Sequence, residues 1–353
     1  MAWDIVPATA PDRWQAALAS LGCADPYFGA AYHAAYAGDG ARALMYVHGD
    51  ADGRLVYPFR LRPIVRIGTE AARAGLHDIE TVYGYTGPLA DSAAPGFLDR
   101  AWAGFAEWAR GQGVVSEFCR FHPLLDTSRN ACPGMRVIED RPTVTVALTG
   151  GEEGLWSIYD GAQRNLLRKA QRAGLQAEVV PLGANWPVFR PIYEATMQGL
   201  GATDFYHFPD DYYRRLALVQ PAPVIAVVRK DGIACAAAIF LASDDTLHYH
   251  LSGSLQEFRQ YAPNNLLLHT AALWGVAQGL KTLFLGGGRT NRPDDKLLHF
   301  KRQFSRTTMP FHIGRRIWDE AAYADLSQRW SRQSGRPAPA QLQHYRLPVS
   351  DSR

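Results

Sequence analysis

Phe300 and Lys301 lie in the stretch LLHFKRQFS (297–305), which sets an ammonium between two aromatic residues, Phe300 and Phe304. Acyl transfer from an ester builds negative charge on the carbonyl oxygen, and a fixed ammonium nearby stabilises that charge. The alternative is an exposed lysine whose aromatic neighbours alone are buried. A second candidate group is LHYHLSGS (247–254), where Tyr249 stands between His248 and His250. Strand alternation sends the two histidines to one face and Tyr249 to the other. A neutral imidazole suits deprotonation of an attacking ammonium, and the alternative is a pair of hydrogen-bonded histidines on a half-buried strand. No cysteine or third histidine falls at ligand spacing, so no metal site is expected. Arg164, Arg168 and Arg172 recur every four residues beside Lys169, with Leu166, Leu167 and Ala170 opposite. They line one face of a helix. That face could hold phosphates, or it is a solvated charged surface.

Two further stretches could hold an amine. Asp78 and Glu80 precede VYGYTGPL (82–89), so a carboxylate could take an ammonium while Tyr83 and Tyr85 shape a groove; Gly84, Gly87 and Pro88 read as turn formers. DFYHFPDDYY (204–213) places Tyr206, Phe208 and Tyr212 among acids, either as a binding surface or as a packed start of a helix. The segment LFLGGGRTNRPDD (283–295) resembles a phosphate loop at first, but it has neither a GK[ST] ending nor a dinucleotide-fold helix after the glycines. Gly286 and Gly287 read instead as a close-approach turn at a cleft edge, and RTNRPDD as a mobile rim.

These groups need a scaffold, and 353 residues predict two domains. No run of about 18 apolar residues occurs, so no membrane span is expected, and the N-terminus has no signal-peptide pattern. Cys23, Cys119, Cys132 and Cys235 are scattered without CxxC spacing, which points to reduced thiols and a cytoplasmic location. Residues 1–150 hold 13 Arg, no Lys and 16 acids, a net of −3; the remainder holds 24 basic and 18 acidic residues, a net of +6. A basic second half suits a phosphate-bearing partner.

The first half reads as a helix (12–21), a hairpin with an Asp-Gly turn (42–64), a helix (95–113), then strands around Phe118 and over 141–150. The second reads as one helical pattern to Gly174, a strand (176–182), helices at 186–202 and 210–219, three strands over 222–254, a helix from Pro263 and the strand KTLFLGGG. The order helix, hairpin, helix, strand occurs in both halves. The expected fold class is α/β of the α+β type, as tandem domains with mixed, mostly antiparallel sheets flanked by helices. The first domain is expected over 1–150 and the second over 151–330, followed by an extended tail over 331–353.

Taken together, VYGYTGPL, CRFHPLL (119–125), YDGAQRNLLRKAQRAGL (159–175), IYEATM (192–197), LHYHLSGS, APNNLLLHTAALWGVAQGLKTLFLGGG (262–288) and LLHFKRQFS resemble, in order, the FemABX-like branch of the GNAT acyltransferases. The resemblance covers about residues 25–325. It implies tandem GNAT-like domains that move an aminoacyl or acyl group onto an amine, with aminoacyl-tRNA as donor and no cofactor. The acceptor would be an amine of a small peptide, a natural product or a cell-wall precursor. It implies that Lys301 stabilises the oxyanion with Phe300 as the pocket wall, that Tyr249 lies where two strands splay, and that the basic helix faces the donor. An acetyl-CoA-dependent GNAT domain carries a glycine-rich pyrophosphate loop, but here RQYAPNN puts Ala262 and Asn264 at the glycine positions and Pro263 between them, which counts against CoA. Phe208 stands where the bridge-forming enzymes often carry arginine, which counts against a nucleotide-linked peptidoglycan acceptor. No coiled-coil insertion occurs. The competing readings are an acyl-CoA-dependent N-acyltransferase of polysaccharide or secondary-metabolite assembly, and a degenerate binding protein.

Overall fold

Asp52 and Gly53 turn the chain between two antiparallel strands, as the hairpin signal predicts. The computed structural model describes residues 3–36, 38, 40–203 and 206–350. In chain order these begin with β1 (Trp3–Pro7), α1 (Pro11–Ala19), α2 (Ala30–Ala35), β2 (Arg42–Gly49), β3 (Arg54–Pro63), the short β4 (Arg66–Ile67) and β5 (Glu70–Ala71), and β6 (His77–Glu80). Next come β7 (Leu89–Ala90), α3 (Phe97–Gly111), β8 (Val114–Arg120), β9 (Arg136–Ala147), α4 (Gly151–Ile158), α5 (Gly161–Arg172) and β10 (Gln176–Pro181). They continue with α6 (Leu182–Gly199), α7 (Asp210–Leu216), β11 (Val224–Lys230), β12 (Ile233–Ala242), β13 (Thr246–Ser254) and α8 (Pro263–Ala277). The last are β14 (Thr282–Gly287), α9 (Lys296–Arg302), β15 (Thr308–Ile317) and α10 (Glu320–Ser334).

The single helical pattern expected up to Gly174 is broken into α4 and α5. The Asp160 carboxylate accepts from the Gln163 N–H at 2.7 Å, so a new helix starts there. Asp at the cap with Gln three residues on is a helix-start signal that overrides continuous periodicity. Likewise α9 begins at Asp295, whose carboxylate accepts from Leu298 N.

The chain forms two units. Unit 1 comprises Met1–Cys23, Tyr36–Asp140 and His312–Arg353; unit 2 comprises Ala24–Ala35 and Arg141–Phe311. The expected cut at residue 150 therefore lies close to the chain's passage at 140–141, but two segments cross it. Residues 24–35 join unit 2 because Tyr27 and Tyr32 meet the rings of His248 and His250 edge-on, and Arg215 donates to Ala34 O. The chain from His312 onward returns to unit 1.

Unit 1 has the strand order β1-β2-β3-β6-β8-β15, and unit 2 the order β9-β14-β13-β12-β11-β10. Within each sheet the neighbours are antiparallel except for one pair, β6 with β8 in unit 1 and β13 with β14 in unit 2. A helix separates the two strands of each parallel pair, α3 in the first and α8 in the second, as a crossover requires. The tandem order expected from the sequence is thus a repeated hairpin followed by a strand–helix–strand crossover. In unit 1 the core gathers Tyr46, Tyr57, Phe59, Trp102 and Phe105 between α3 and the sheet. In unit 2 it gathers Leu167, Phe240, Leu247, Leu267, Leu283 and Phe304. No helix among the described residues is long and apolar enough to cross a membrane.

The segment expected to be an extended tail is α10 as far as Ser334, followed by turns that pack on unit 1. Tyr345 is buried there and its hydroxyl lies 2.7 Å from Ser116 Oγ and 3.1 Å from Asp78 Oδ2. Arg346 Nε donates to the same Asp78 oxygen at 2.6 Å, and Arg62 Nε to the other at 2.8 Å. Proline and polar residues concealed this anchor, whose apolar part comprises Leu342, Tyr345, Leu347 and Val349. Asp78 is fully buried in that ion cluster. Removing one partner of a buried pair leaves the other charges uncompensated. Asp78→Ala should therefore cost ~3 kcal/mol or more in urea unfolding, and Tyr345→Phe about 1 kcal/mol. A loss below ~1 kcal/mol for Asp78→Ala would mean that the cluster does not hold the fold.

Candidate active site

The site of unit 2 forms where β13 and β14 part. Their parallel pairing covers only Thr246–Thr282, Leu247–Leu283 and His248–Phe284. Beyond that, β13 continues to Ser254 on β12 and β14 to Gly287 on β9. Between Phe284 and Gly286 the β14–β9 register slips, and Gly286 sits at φ +71°. A glycine takes that conformation without the penalty a Cβ carries. The three glycines are therefore a bulged strand end rather than the turn expected from sequence. Gly287 and Gly288 also have neighbours that a side chain would strike: a Cβ at Gly287 would lie 3.0 Å from Arg141 Cδ, and one at Gly288 2.4 Å from Asp295 Oδ1.

Lys301 fills the opening. It is carried by α9, a helix not assigned from sequence, and its side chain is buried. Its Nζ donates to Gly287 O at 2.7 Å and stands 5.6 Å from the centre of the Tyr249 ring. One contact is thus to β14 and the other to β13. Burial pushes its pKa down to about 7; Asp295 pulls it up and Arg141 pushes it further down. Burial therefore works against the fixed ammonium expected from sequence.

Two residues not singled out in the sequence shape this pocket. Arg141 on β9 donates to the carbonyls of Gly288 and Arg289 at 3.0 and 2.6 Å. Asp295 accepts from the N–H groups of Arg289, Thr290 and Leu298 and from the Thr290 hydroxyl. Burial opposes its charge, but those donors outweigh it and hold its pKa below the ordinary value. The rim RTNRPDD is consequently a loop tied around one carboxylate, with Arg292 and Asp294 also paired. The Asp before KLLHFKR was the signal for it.

Alternation along β13 holds, and it divides the candidate set. Tyr249 faces Lys301 and hydrogen-bonds Ser252 Oγ at 2.5 Å, and burial pushes its pKa up to about 12. Phe300 is half-buried against the unit 2 core and meets Phe304 edge-on at 5.5 Å. His248 and His250 lie on the other face. His248 Nε2 is 3.0 Å from Asp25 Oδ2. His250 Nε2 is 2.8 Å from the Tyr212 hydroxyl, and burial, helped by His248, lowers its pKa to about 3. So weak a base does not deprotonate an ammonium, and Tyr27 and Tyr32 close over its ring. His250 is thus enclosed by aromatic rings, in keeping with the hydrogen-bonded alternative. Tyr212 is buried with it, stacked on Phe208 at 4.1 Å, rather than open to a substrate.

Other expected binding residues divide similarly. Asp78 is occupied by its ion cluster, and Glu80 by Arg60 and Arg62. Tyr83 and Tyr85 are half-buried in unit 1, the latter against His122. Tyr206 is half-buried, while Asp204 and Phe205 of the same stretch lie outside the described residues. On α5, Arg168, Lys169 and Arg172 are exposed and Arg164 is half-buried, with Gln163, Leu167 and Ala170 turned inward. Arg164 and Arg168 line an open groove of about 920 Å³ with Trp156, Glu152 and Glu153. Arg168 lies over the Trp156 ring at 5.6 Å.

Residues 161–302 match the family model described as an acetyltransferase (GNAT) domain. The segment is a GNAT domain. The fold is also that of FemX (TM-score 0.68, 14% identity, covering 92% of this chain and 99% of FemX). Similar too are L-PGS from Bacillus licheniformis (0.56, 14%, 87% and 91%) and a tandem GNAT protein from the clavulanic acid biosynthesis pathway (0.50, 11%, 89% and 98%). No curated protein matches in sequence. The FemABX-like resemblance of the sequence is thus met by a GNAT domain and a FemX-like tandem fold.

GNAT chemistry raises the fit of CoA. At the start of α8, Ala262 occupies the left-handed region at φ +57° and its N–H is taken by Arg259 O. Pro263 has no N–H, and Asn265 N donates back to Ala262 O. The 3₁₀ turn Gln256–Tyr261 fills the preceding loop. A pyrophosphate needs several free N–H groups at that point, and these residues do not fit it.

The Lys301 ammonium is a cost to the fold that its chemistry would explain. Its pKa falls from 10.5 to about 7 on folding, so the unfolded chain holds the extra proton between those values. The cost is complete below pH 7 and disappears as pH rises to 10.5. Lys301→Met should therefore be more stable than the parent by about 2–4 kcal/mol at pH 6, after allowing for the lost bond to Gly287 O. Denaturation of both across pH 6–10.5 checks this, and a difference that does not shrink with pH would contradict it.

Proposed function

We propose that the protein is an aminoacyltransferase that takes an amino acid from the ester of an aminoacyl-tRNA and joins it to an amine of a small peptide, natural product or cell-wall precursor. The observation that carries this reading is Lys301, buried at the opening of β13 and β14 and anchored to Gly287 O. The ill-suited start of α8 favours an ester donor over acyl-CoA.

The chemistry follows from that placement. The neutral acceptor amine attacks the ester carbonyl carbon, forming the C–N bond while the carbonyl π pair moves to oxygen. The Lys301 ammonium faces that oxyanion with an N–H not used by Gly287. Collapse breaks the bond to the ribose oxygen, which takes up the proton lost by the attacking nitrogen. Amide and free tRNA 3′ hydroxyl are the products. Tyr249 and Phe300 limit water at the carbonyl, which strengthens the charge interaction.

The test is a mass-detected amide assay with charged tRNA and, separately, acyl-CoA, each with candidate amines. Amide from charged tRNA that is abolished by RNase supports the reading; amide from acyl-CoA alone moves the protein to the N-acyltransferase class, and neither product leaves a binding protein. Lys301→Met should lower kcat by about 10²–10³ with the fold intact. Because the ammonium is lost above about pH 7, kcat/KM should decline on the alkaline side of neutrality, and that limb should move to higher pH in Lys301→Arg. Turnover of Lys301→Met within threefold of the parent would remove the lysine from the mechanism.

A further inference from the structure

The open groove of about 920 Å³ on unit 2 carries charges of both signs. Glu152 and Glu153 stand in the first turn of α4, and Arg164 and Arg168 stand one turn apart on α5. All but the half-buried Arg164 are exposed. None of the four makes an ion pair among the described residues, and neither glutamate caps α4. Both signs therefore stay available to a ligand. Arg164 Nη1 donates to Trp156 O at 3.1 Å, and Arg168 Nη1 to Asn165 Oδ1 at 3.2 Å. A guanidinium has five N–H donors, so each is steered by one bond and keeps most of its donors. Trp156 supplies the apolar part of the lining. Its ring meets buried His269 edge-on at 5.8 Å and lies 5.6 Å from the Arg168 guanidinium, which sets its position from two directions.

One ligand must meet both signs. A run of phosphates satisfies the guanidiniums but sets like charge against two carboxylates. Lys169 and Arg172 of the same helix lie outside the lining, so the groove is more than a continuation of the basic face. A polycation fails in the same way at Arg164 and Arg168. A zwitterion satisfies all four groups: its carboxylate takes paired hydrogen bonds from a guanidinium, and its ammonium meets a glutamate. Volume then decides its size. Ligand sites span about 300–1,000 Å³, and this groove lies at the upper end, suited to a short peptide rather than a single amino acid. Trp156 offers apolar surface to a side chain between the charged ends. We infer that the groove binds a short unblocked peptide. Its N-terminal ammonium lies at Glu152 and Glu153, its C-terminal carboxylate at Arg164 and Arg168, and an apolar side chain on Trp156. An ammonium paired with carboxylates is not the neutral amine that attacks an ester, so this is a second site that does not rest on the transfer reading.

The probes are four forms of the peptide Ala-Phe-Ala-Ala: unblocked, N-acetylated, C-amidated and blocked at both ends, each titrated calorimetrically into the full chain. The unblocked form should bind at least about tenfold more tightly than either singly blocked form, because each block removes one charge-assisted contact. In Glu152→Gln/Glu153→Gln the acetyl group should have no further effect, while amidation still weakens binding. In Arg164→Gln/Arg168→Gln the two blocks should exchange roles. Circular dichroism melting checks that both variants fold, and the blocked peptides test the charge requirement on the parent alone. Four forms that bind within about threefold of one another would overturn the inference, as would an unblocked form that does not bind. If a CCA-ended RNA minihelix is bound through Arg164 and Arg168, more tightly by the glutamate-to-glutamine variant, while no peptide binds, the groove is an RNA surface and the peptide assignment fails.

Discussion

Much of unit 2 around the site depends on holding an ammonium where water is scarce. An isolated lysine side chain at 6% exposure is costly to charge. The surrounding structure lowers that cost without removing it. Gly287 offers a carbonyl because β14 bulges at Gly286 and ends unpaired with β13, and Tyr249 offers the face of its ring. Asp295 supplies a counter charge at a remove, its carboxylate already engaged by backbone donors, while Arg141 opposes it. The balance leaves the pKa near neutrality rather than at 10.5. A structural lysine would gain nothing from such a position, and methionine would fill it at lower cost. A near-neutral lysine at a strand opening is what charge-stabilised acyl transfer would use.

The glycines and the cap serve the same end. A side chain at Gly288 would collide with Asp295, and without Asp295 neither the start of α9 nor the loop before it has its hydrogen bonds. The position of Lys301 therefore traces back through α9 to one carboxylate and to the absence of one Cβ. This is a chain of short contacts within 20 residues of sequence, which is why the segment 283–305 reads as a unit.

Much of this was legible in the sequence for simple reasons. The hairpin at Asp52-Gly53, the alternation of β13 and the apolar stripe of α5 are local patterns, and local patterns survive folding. The Phe300-Lys301 pair, the glycine strand and the poor pyrophosphate loop could be read from residue types alone. What was not legible depended on burial and distant partners. Asp78 resembles an open carboxylate until Arg346, 268 residues later, is seen to cover it. His250 resembles a base until Tyr27, Tyr32 and Tyr212 enclose it. The protonation of Lys301 also follows from burial, which no spacing rule states. The helix starts at Asp160 and Asp295 were present as cap residues but were outweighed by periodicity in one case and by the polar look of RTNRPDD in the other.

The two ends of the GNAT domain offer an anion different groups. A pyrophosphate is held by backbone N–H groups converging at a helix start, and this requires residues that leave those groups free. Here Ala262, Pro263 and the turn before them have used or lost them. Side-chain cations stand instead on α5 and at the end of α9, where Glu152, Glu153 and Asp160 share the surface with them. Backbone cradles suit one compact diphosphate; a row of guanidiniums suits phosphates spaced along a chain. The two features lie in distant stretches of sequence, at 259–265 and at 164–172 with 299–306. Both features, beside a lysine kept buried at a cost to the fold, are in keeping with the ester donor of the proposed reading.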